Sequence, residues 1–352
     1  MNINTRDVSK AEEVLEMTRH NLIAFGKLFL PGDFGKSESP PFHYEIADAL
    51  LENTTKSLAL ILPRGSGKTQ LFKTFLMHKI LFKEPDELLF MAWISDNHRK
   101  SVLNLQYLKQ HFQTNDMIHY YFGNIEGIKW TETDIVTSTQ AKLISRSNLS
   151  SVRGENYLGK RYDIVAVDDA ESETNTVTQD AREKIKNIIY NGVKPALDIN
   201  TGRLILAGTP VHFDSFINNL LVNAGRVEAD GTDFSWKVVQ YKAIQSDGTA
   251  LWHSWFPLTK LTEKKKFYVD SGKPHKFYQE YMMEVQSAED SIFNMRHVKH
   301  WDGFYKFDEN EMMPYLHCEG EKIPVNIFAG VDPATDSERR DSDFSVIMVV
   351  AV

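Results

Sequence analysis

Ser57-Leu-Ala-Leu-Ile-Leu62-Pro-Arg-Gly-Ser-Gly-Lys-Thr69 decides the reading of this chain. Ser57 to Leu62 is a short unbroken apolar run bounded by polar residues, the pattern of a strand buried on both faces of a parallel sheet. The run passes through a turn with glycines at 65 and 67 directly into a helical pattern from Gln70 to Phe82. Small residues at such a turn let the backbone N–H groups of Gly65, Ser66, Gly67 and Lys68 close around an oxyanion at a helix N-terminus. With Lys68 reaching the outer phosphates and the Thr69 hydroxyl on Mg²⁺, the fitting anion is a nucleoside triphosphate. Leu62 stands where G-x-x-x-x-G-K-[ST] begins with glycine, so the pattern alone is degenerate.

Outward from this stretch, apolar runs recur at Leu88 to Ile94, Ile164 to Val167 and Leu204 to Ala207, with helical patterns between them. The alternation predicts an α/β fold with a mainly parallel sheet. Upstream, apolar spacing predicts one helix from Lys10 to Leu30, stopped by Pro31-Gly32, and a second carrying His43, Ile46 and Leu50. Downstream of Pro210 the texture changes to two helical stretches, a strand-like segment Trp236 to Ile244 and a Lys-rich helix Leu258 to Val269. These read as a smaller subdomain. Strands are predicted again at Asn326 to Val331 and Phe344 to Val352, so the sequence is expected to stop inside a further domain.

Composition sets the bounds. The 352 residues allow two or three domains, and 42% apolar with 25% charged residues describes a globular chain. The net charge of -8 means that any grip on nucleic acid comes from local patches. One cysteine, Cys318, excludes an internal disulfide framework and a Cys-rich zinc cluster. No apolar run approaches the ~18 residues of a membrane span, and the charged N-terminus does not read as a signal peptide.

Three further stretches carry chemistry. Asp163-Ile-Val-Ala-Val-Asp168-Asp169-Ala-Glu171 delivers carboxylates to the C-terminal edge of a sheet, where ligands of open α/β sheets bind. Asp168 is the candidate metal-shell carboxylate; Asp169 and Glu171 compete as the group that readies an attacking water. Leu204-Ile-Leu-Ala-Gly-Thr-Pro210 ends another strand on Thr209, which can sense a γ-phosphate. Arg64 and Arg153 are alternative guanidinium donors to the transition state. Lys264-Lys265-Lys266 reads as a solvated helix face that could also touch a phosphate backbone. His297 and His300 lack further ligands for a metal. Asp332, at a strand end, and Asp343, before the next strand, suit a Mg²⁺- or Mn²⁺-dependent two-metal nuclease that needs more carboxylates than these.

In combination the sequence resembles the large terminase subunit of tailed bacteriophages, the DNA-packaging motor. Pro40-Pro-Phe42-His43-Tyr-Glu-Ile46 is similar to the family segment that helps place adenine, and Arg64 to Thr69 to its Walker A variant, in which an arginine precedes G-x-G-K-[ST] and the first glycine is often absent. Val152-Arg-Gly154 through Asp169 resembles the arginine-glycine and Walker B region, with Asp169 where the family usually has Glu. Ala207-Gly-Thr-Pro210 resembles the coupling motif, and Trp255-Phe-Pro257 with Phe277 to Glu284 the lid and linker.

The resemblance implies a P-loop NTPase (RecA/ASCE-like) core with its N-terminal helices over residues 1–210, a lid and linker subdomain over 211–310, and the beginning of a ribonuclease-H-like nuclease over 311–352. It implies ATP with Mg²⁺ as cofactors, and Mg²⁺ or Mn²⁺ for the nuclease part, whose first aspartate is matched by Asp332 and accessory acid by Asp343. It further implies double-stranded DNA, the portal protein and procapsid and a small terminase subunit as partners, and no membrane. The chain would act as a homo-oligomeric ring in the host cell cytoplasm, where Arg153 would act on a neighbour's nucleotide. A helicase-like translocase of another lineage and a non-catalytic nucleotide-binding scaffold are the alternatives.

Overall fold

The structure, a computed structural model, describes residues 5–95, 97–147, 152, 154–225, 235–285, 303–318, 320–332 and 346–351. The N-terminal segment predicted as one helix is two, α1 (Thr5–His20) and α2 (Leu22–Phe29). Asn21 divides them: its backbone is extended and its side chain accepts the Ala24 N–H at 2.9 Å, an N-cap in mid-pattern. Pro31 opens α3 (Pro31–Phe34) and Pro41 opens α4 (Pro41–Leu51), each at a first-turn position where a missing N–H costs nothing.

There follow β1 (Ser57–Ile61), α5 (Lys68–Leu81), β2 (Leu89–Ser95), α6 (His98–Thr114), α7 (Asp116–Phe122), β3 (Lys129–Trp130), β4 (Asp134–Val136), β5 (Ala141–Ser147) and β6 (Ile164–Asp168). Then come α8 (Gln179–Ile188), a π-helical turn (Ile189–Val193), α9 (Lys194–Ala196), β7 (Arg203–Gly208), α10 (Phe216–Asn223) and β8 (Lys237–Gln240). The eight strands form one sheet in the order β3-β4-β5-β2-β6-β7-β1-β8. From β5 to β8 all neighbours are parallel, and at one edge β4 alone is reversed, antiparallel to both β5 and β3.

The parallel strands are apolar throughout because helices cover both faces. Leu58, Leu60, Met91, Trp93, Ile164, Ala166, Ile205 and Ala207 join a core with α2, α4, α5 and α6. Their alternates, Ala59, Ile61, Ala92, Ile94, Val165, Val167, Leu204 and Leu206, join a second core with Ile185, Ile189, Phe216 and Ile217. The register aligns the strand ends: Ile61 pairs with Gly208, Asp168 with Ala207, and Ser95 with Asp168. Four loops therefore leave one edge of the sheet side by side.

One boundary differs from the sequence reading. β8 belongs to the main sheet, parallel to β1, so the core does not close at residue 210. Its residues are half-exposed edge positions without the continuous apolar run of the central strands. Beyond β8, α11 (Leu258–Asp270) and α12 (Pro274–Met282) form a hairpin over a small core of Ala243, Leu261, Phe277 and Tyr281. The chain divides into two packed units, 1–288 and 289–352. The second contains an antiparallel sheet of β9 (Gly303–Asp308), β10 (Met313–Cys318) and β11 (Glu321–Pro324), and a hairpin of β12 (Ile327–Asp332) with β13 (Val346–Ala351).

Candidate active site

The turn from β1 to α5 is built for a close backbone approach. Gly65 and Gly67 have φ of 80° and 87°, a left-handed conformation that penalises any side chain. A Cβ at Gly67 would also touch His43 Nε2, at 3.4 Å. No side chain caps α5, so the N–H groups of its first turn stay available to an anion. The Lys68 ammonium lies folded under the turn, donating to the Leu62 carbonyl at 2.9 Å, and burial holds its pKa below the ordinary lysine value despite the charges of Asp169 and Asp168.

Across 99 residues of sequence, the Thr69 hydroxyl donates to Asp168 Oδ2 at 3.0 Å. Asp168 is 5% exposed; burial first, and the Asp169 charge second, push its pKa up to about 6. Its Oδ1 has no hydrogen-bond partner, and neither have the buried hydroxyls of Ser66 and Ser95. Ser95 was not singled out from the sequence. It pairs with Asp168 in register, and strand alternation puts both side chains on the α5 face, with Met91 and Trp93 on one strand and Ile164 and Ala166 on the other. Among the described residues no three His, Cys, Asp or Glu side chains converge as a metal cage. The set here, a hydroxyl, a carboxylate with an unused oxygen and further unused hydroxyls, fits Mg²⁺ held largely by water and phosphate oxygens.

The two competing carboxylates lie in different places. Asp169 follows directly, at φ 50°, its N–H on the Ala207 carbonyl at 2.9 Å; it is half-buried and close enough for its charge to act on Lys68 and Asp168. Glu171 is 6% exposed, and its two oxygens accept the Phe216 and Ile217 N–H groups at 2.7 and 2.9 Å at the N-terminus of α10. Burial, only partly offset by these amides, raises its pKa. Thr209 follows Gly208, whose carbonyl accepts the Leu62 N–H at 3.3 Å, so it sits at the foot of the glycine turn.

Arg64 is held away from the turn. Its N–H and guanidinium both bond Glu280 on α12, at 2.9 Å each, and Tyr268 of α11 donates to the other Glu280 oxygen at 2.9 Å. The carboxylate beside it raises the Arg64 pKa. Arg153 lies outside the described residues, as do His297, His300 and Asp343. Asp332 ends β12 opposite Val346.

Beside the turn opens a cavity of about 350 Å³, lined by His43, Gly65, Gly67, Gln70 and Leu71, by Asp33 and Phe34, and by Trp252 and Trp255. His43 is buried with Nε2 2.7 Å from the Ser66 carbonyl, and burial lowers its pKa. Its ring is 4.6 Å from that of Trp252. Phe42 packs behind it, 5.4 Å from the Tyr241 ring, and does not line the cavity. Gln70 donates to Asp33 Oδ2 at 3.1 Å and to the Tyr107 hydroxyl at 2.9 Å, so polar groups stand against an indole wall. Asp33, Gln70 and Trp252 carry no sequence signal of their own. They meet only in the fold.

A glycine turn between β1 and α5, a carboxylate on β6, and β7 lying between these strands define a P-loop NTPase of the ASCE type, α/β with a mainly parallel sheet. No protein-family model matches the chain, and no curated protein matches its sequence. Solved structures do. The large terminase of bacteriophage HK97 aligns with 94% of this chain and 67% of its own, at 13% identity and a TM-score of 0.52. The large terminase ATPase domain of a Thermus phage covers 68% of this chain and 92% of its own at 12% identity, TM-score 0.45. The Phi-28 gp11 DNA packaging motor covers 78% and 79% at 11% identity, TM-score 0.35. The chain has a large-terminase-like fold.

Proposed function

We propose that the chain is the ATPase of a viral DNA-packaging motor that hydrolyses MgATP to translocate double-stranded DNA. The observation that carries the ATPase half is the 3.0 Å bond from Thr69 to Asp168 at the mouth of the glycine turn. In this reading the amides of Gly65 to Lys68 receive the β- and γ-phosphates, and Lys68 leaves the Leu62 carbonyl to join them. The adenine occupies the cavity between His43 and Trp252. Thr69 and Asp168 would hold the Mg²⁺, and the unpartnered hydroxyls of Ser95 and Ser66 stand ready to support its shell; a bound ion would supply neutralisation of charge developing on the phosphate oxygens.

Asp169 orients the attacking water and takes its proton while the bond from the γ-phosphorus to the ADP oxygen breaks. Arg64, freed from Glu280, bears on the γ-phosphoryl oxygens, and Thr209 passes the change to β7. The terminase reading brings with it DNA, portal, procapsid and small-subunit partners, a ring in which Arg153 serves the neighbouring site, and the host cytoplasm. It is supported by the HK97 likeness; among the described residues no helix is long and apolar enough to cross a membrane. For residues 311–352 the same reading is the beginning of a nuclease, supported by the antiparallel β12–β13 pair, whose first strand ends in Asp332.

The test is ATP turnover with and without duplex DNA. Turnover that duplex accelerates is expected; nucleotide binding with no turnover would make the chain a scaffold.

Two further outcomes follow from the metal shell. Ser95→Ala is expected to raise the Mg²⁺ concentration for half-maximal turnover about 10-fold, as loss of an outer-shell partner does. An unchanged magnesium titration would take Ser95 out of the site. Asp168→Asn is expected to abolish turnover yet stabilise the metal-free protein. Because the Asp168 pKa is raised, the folded state holds its proton more tightly than the unfolded chain, and stability falls as pH rises from about 4 to about 6. At pH 7 the whole cost, on the order of 2–3 kcal/mol, is present and asparagine removes it. In EDTA the variant should melt above wild type at pH 7, with the gap closing near pH 4.

A further inference from the structure

The hairpin of α11 and α12 gathers positive charge in an acidic chain. Residues 258–276 hold six lysines against two carboxylates, Glu263 and Asp270, while the whole chain is at -8. Lys276 pairs with Glu173. Lys260, Lys264, Lys265, Lys266 and Lys273 form no ion pair among the described residues.

Glu263 stands three residues from Lys260 and from Lys266, and Asp270 four after Lys266, yet none of these spacings closes to an ion pair among the described residues. The favourable order puts an acid four residues before a lysine, and four residues after Glu263 stands Phe267. Of α11 only Leu261 is buried. Lys260, Lys264 and Phe267 fall at i, i+4 and i+7 on one line of the helix; Lys264 Nζ lies 5.9 Å from the ring of Phe267, which is 60% exposed. Lysines that outnumber the neighbouring carboxylates repel one another, and a partner with regularly spaced negative charge offsets that repulsion. The hairpin is also tied to the glycine turn, because Tyr268 of α11, Glu280 of α12 and Arg64 share one carboxylate.

We propose that the lysine face of α11 grips the phosphate backbone of duplex DNA. The identity of the polymer rests on the packaging reading above; the binding itself does not require turnover. Lysine supplies point charges on flexible stems, suited to phosphate contacts that form and release without reading bases. The shared Glu280 gives such a contact a direct route to Arg64.

The experiment measures binding of a labelled short duplex between about 50 and 200 mM salt, for wild type and for a variant carrying Lys264→Gln, Lys265→Gln and Lys266→Gln. The log–log salt slope is expected to shrink by roughly 2–3, at about 0.9 per lost phosphate contact, with at least about a 10-fold loss of affinity at the lower salt. Lys184→Gln, at an exposed position of α8, controls for general charge. A matching thermal melt shows that the triple variant is folded. An unchanged slope and affinity would overturn the proposal. So would retained duplex binding with lost binding of poly-glutamate, which would assign the face to an acidic protein. If wild type binds duplex through these lysines but never turns over ATP, the motor reading falls and the surface stands.

Discussion

Asp169→Asn is expected to lower kcat for ATP hydrolysis by about 10²- to 10⁴-fold with KM nearly unchanged, the loss typical of a missing general base. Glu171→Gln is expected to keep kcat near wild type and to cost stability instead. The reason is what each carboxylate touches. The Glu171 oxygens are engaged by two amides at the start of α10, so turning this group toward a nucleotide would leave both buried N–H groups without an acceptor, beyond the reach of the Ser215 cap on Asn218. Glutamine retains one acceptor oxygen and turns an NH₂ donor toward the second buried N–H, which is left without an acceptor, a cost of about 1–3 kcal/mol. Asp169 lies beside Lys68 and Asp168 and has no such structural duty. Steady-state kinetics and thermal melts on both variants decide the matter. A collapse of kcat in Glu171→Gln with Asp169→Asn still active would reverse the assignment.

Lys68→Ala is expected to reduce kcat by about 10²- to 10³-fold, the scale of one lost charge-stabilising donor, and to abolish any acceleration by DNA. The same change should leave the unliganded protein as stable as wild type or more so. The ammonium is tucked under the glycine turn on a single backbone carbonyl, and burial disfavours its charged form. Lys68→Arg is expected to fail as well, since a planar guanidinium does not fit the space of a compact ammonium. A melt matching wild type together with lost turnover would exclude unfolding as the cause. Turnover surviving in Lys68→Ala would remove the glycine turn from the chemistry.

Much of the fold could be read along the chain because its signals are local. The central strands, buried on both faces, are continuous apolar runs, and β6 and β7 run out into the candidate site residues Asp168 and Thr209. The misreadings have local causes too. Asn21 caps a helix inside an unbroken apolar pattern, so one predicted helix is two. β8 is an edge strand, and half-exposed edges lack the run that marks β1 and β6.

By itself the sequence determined that a glycine turn follows a buried strand and that carboxylates end another, and it set the expectation of a nucleoside triphosphate ligand. These follow from short-range pattern, because side-chain period, turn residues and strand polarity are properties of neighbouring positions. Only the tertiary structure decided that Ser95 stands beside Asp168, that Glu171 belongs to α10, that Glu280 holds Arg64 and that Trp252 walls the cavity with His43. Each of these joins residues far apart in the chain. Their partnership is set by strand order and register, and no residue type announces from its own position which distant segment will pack against it.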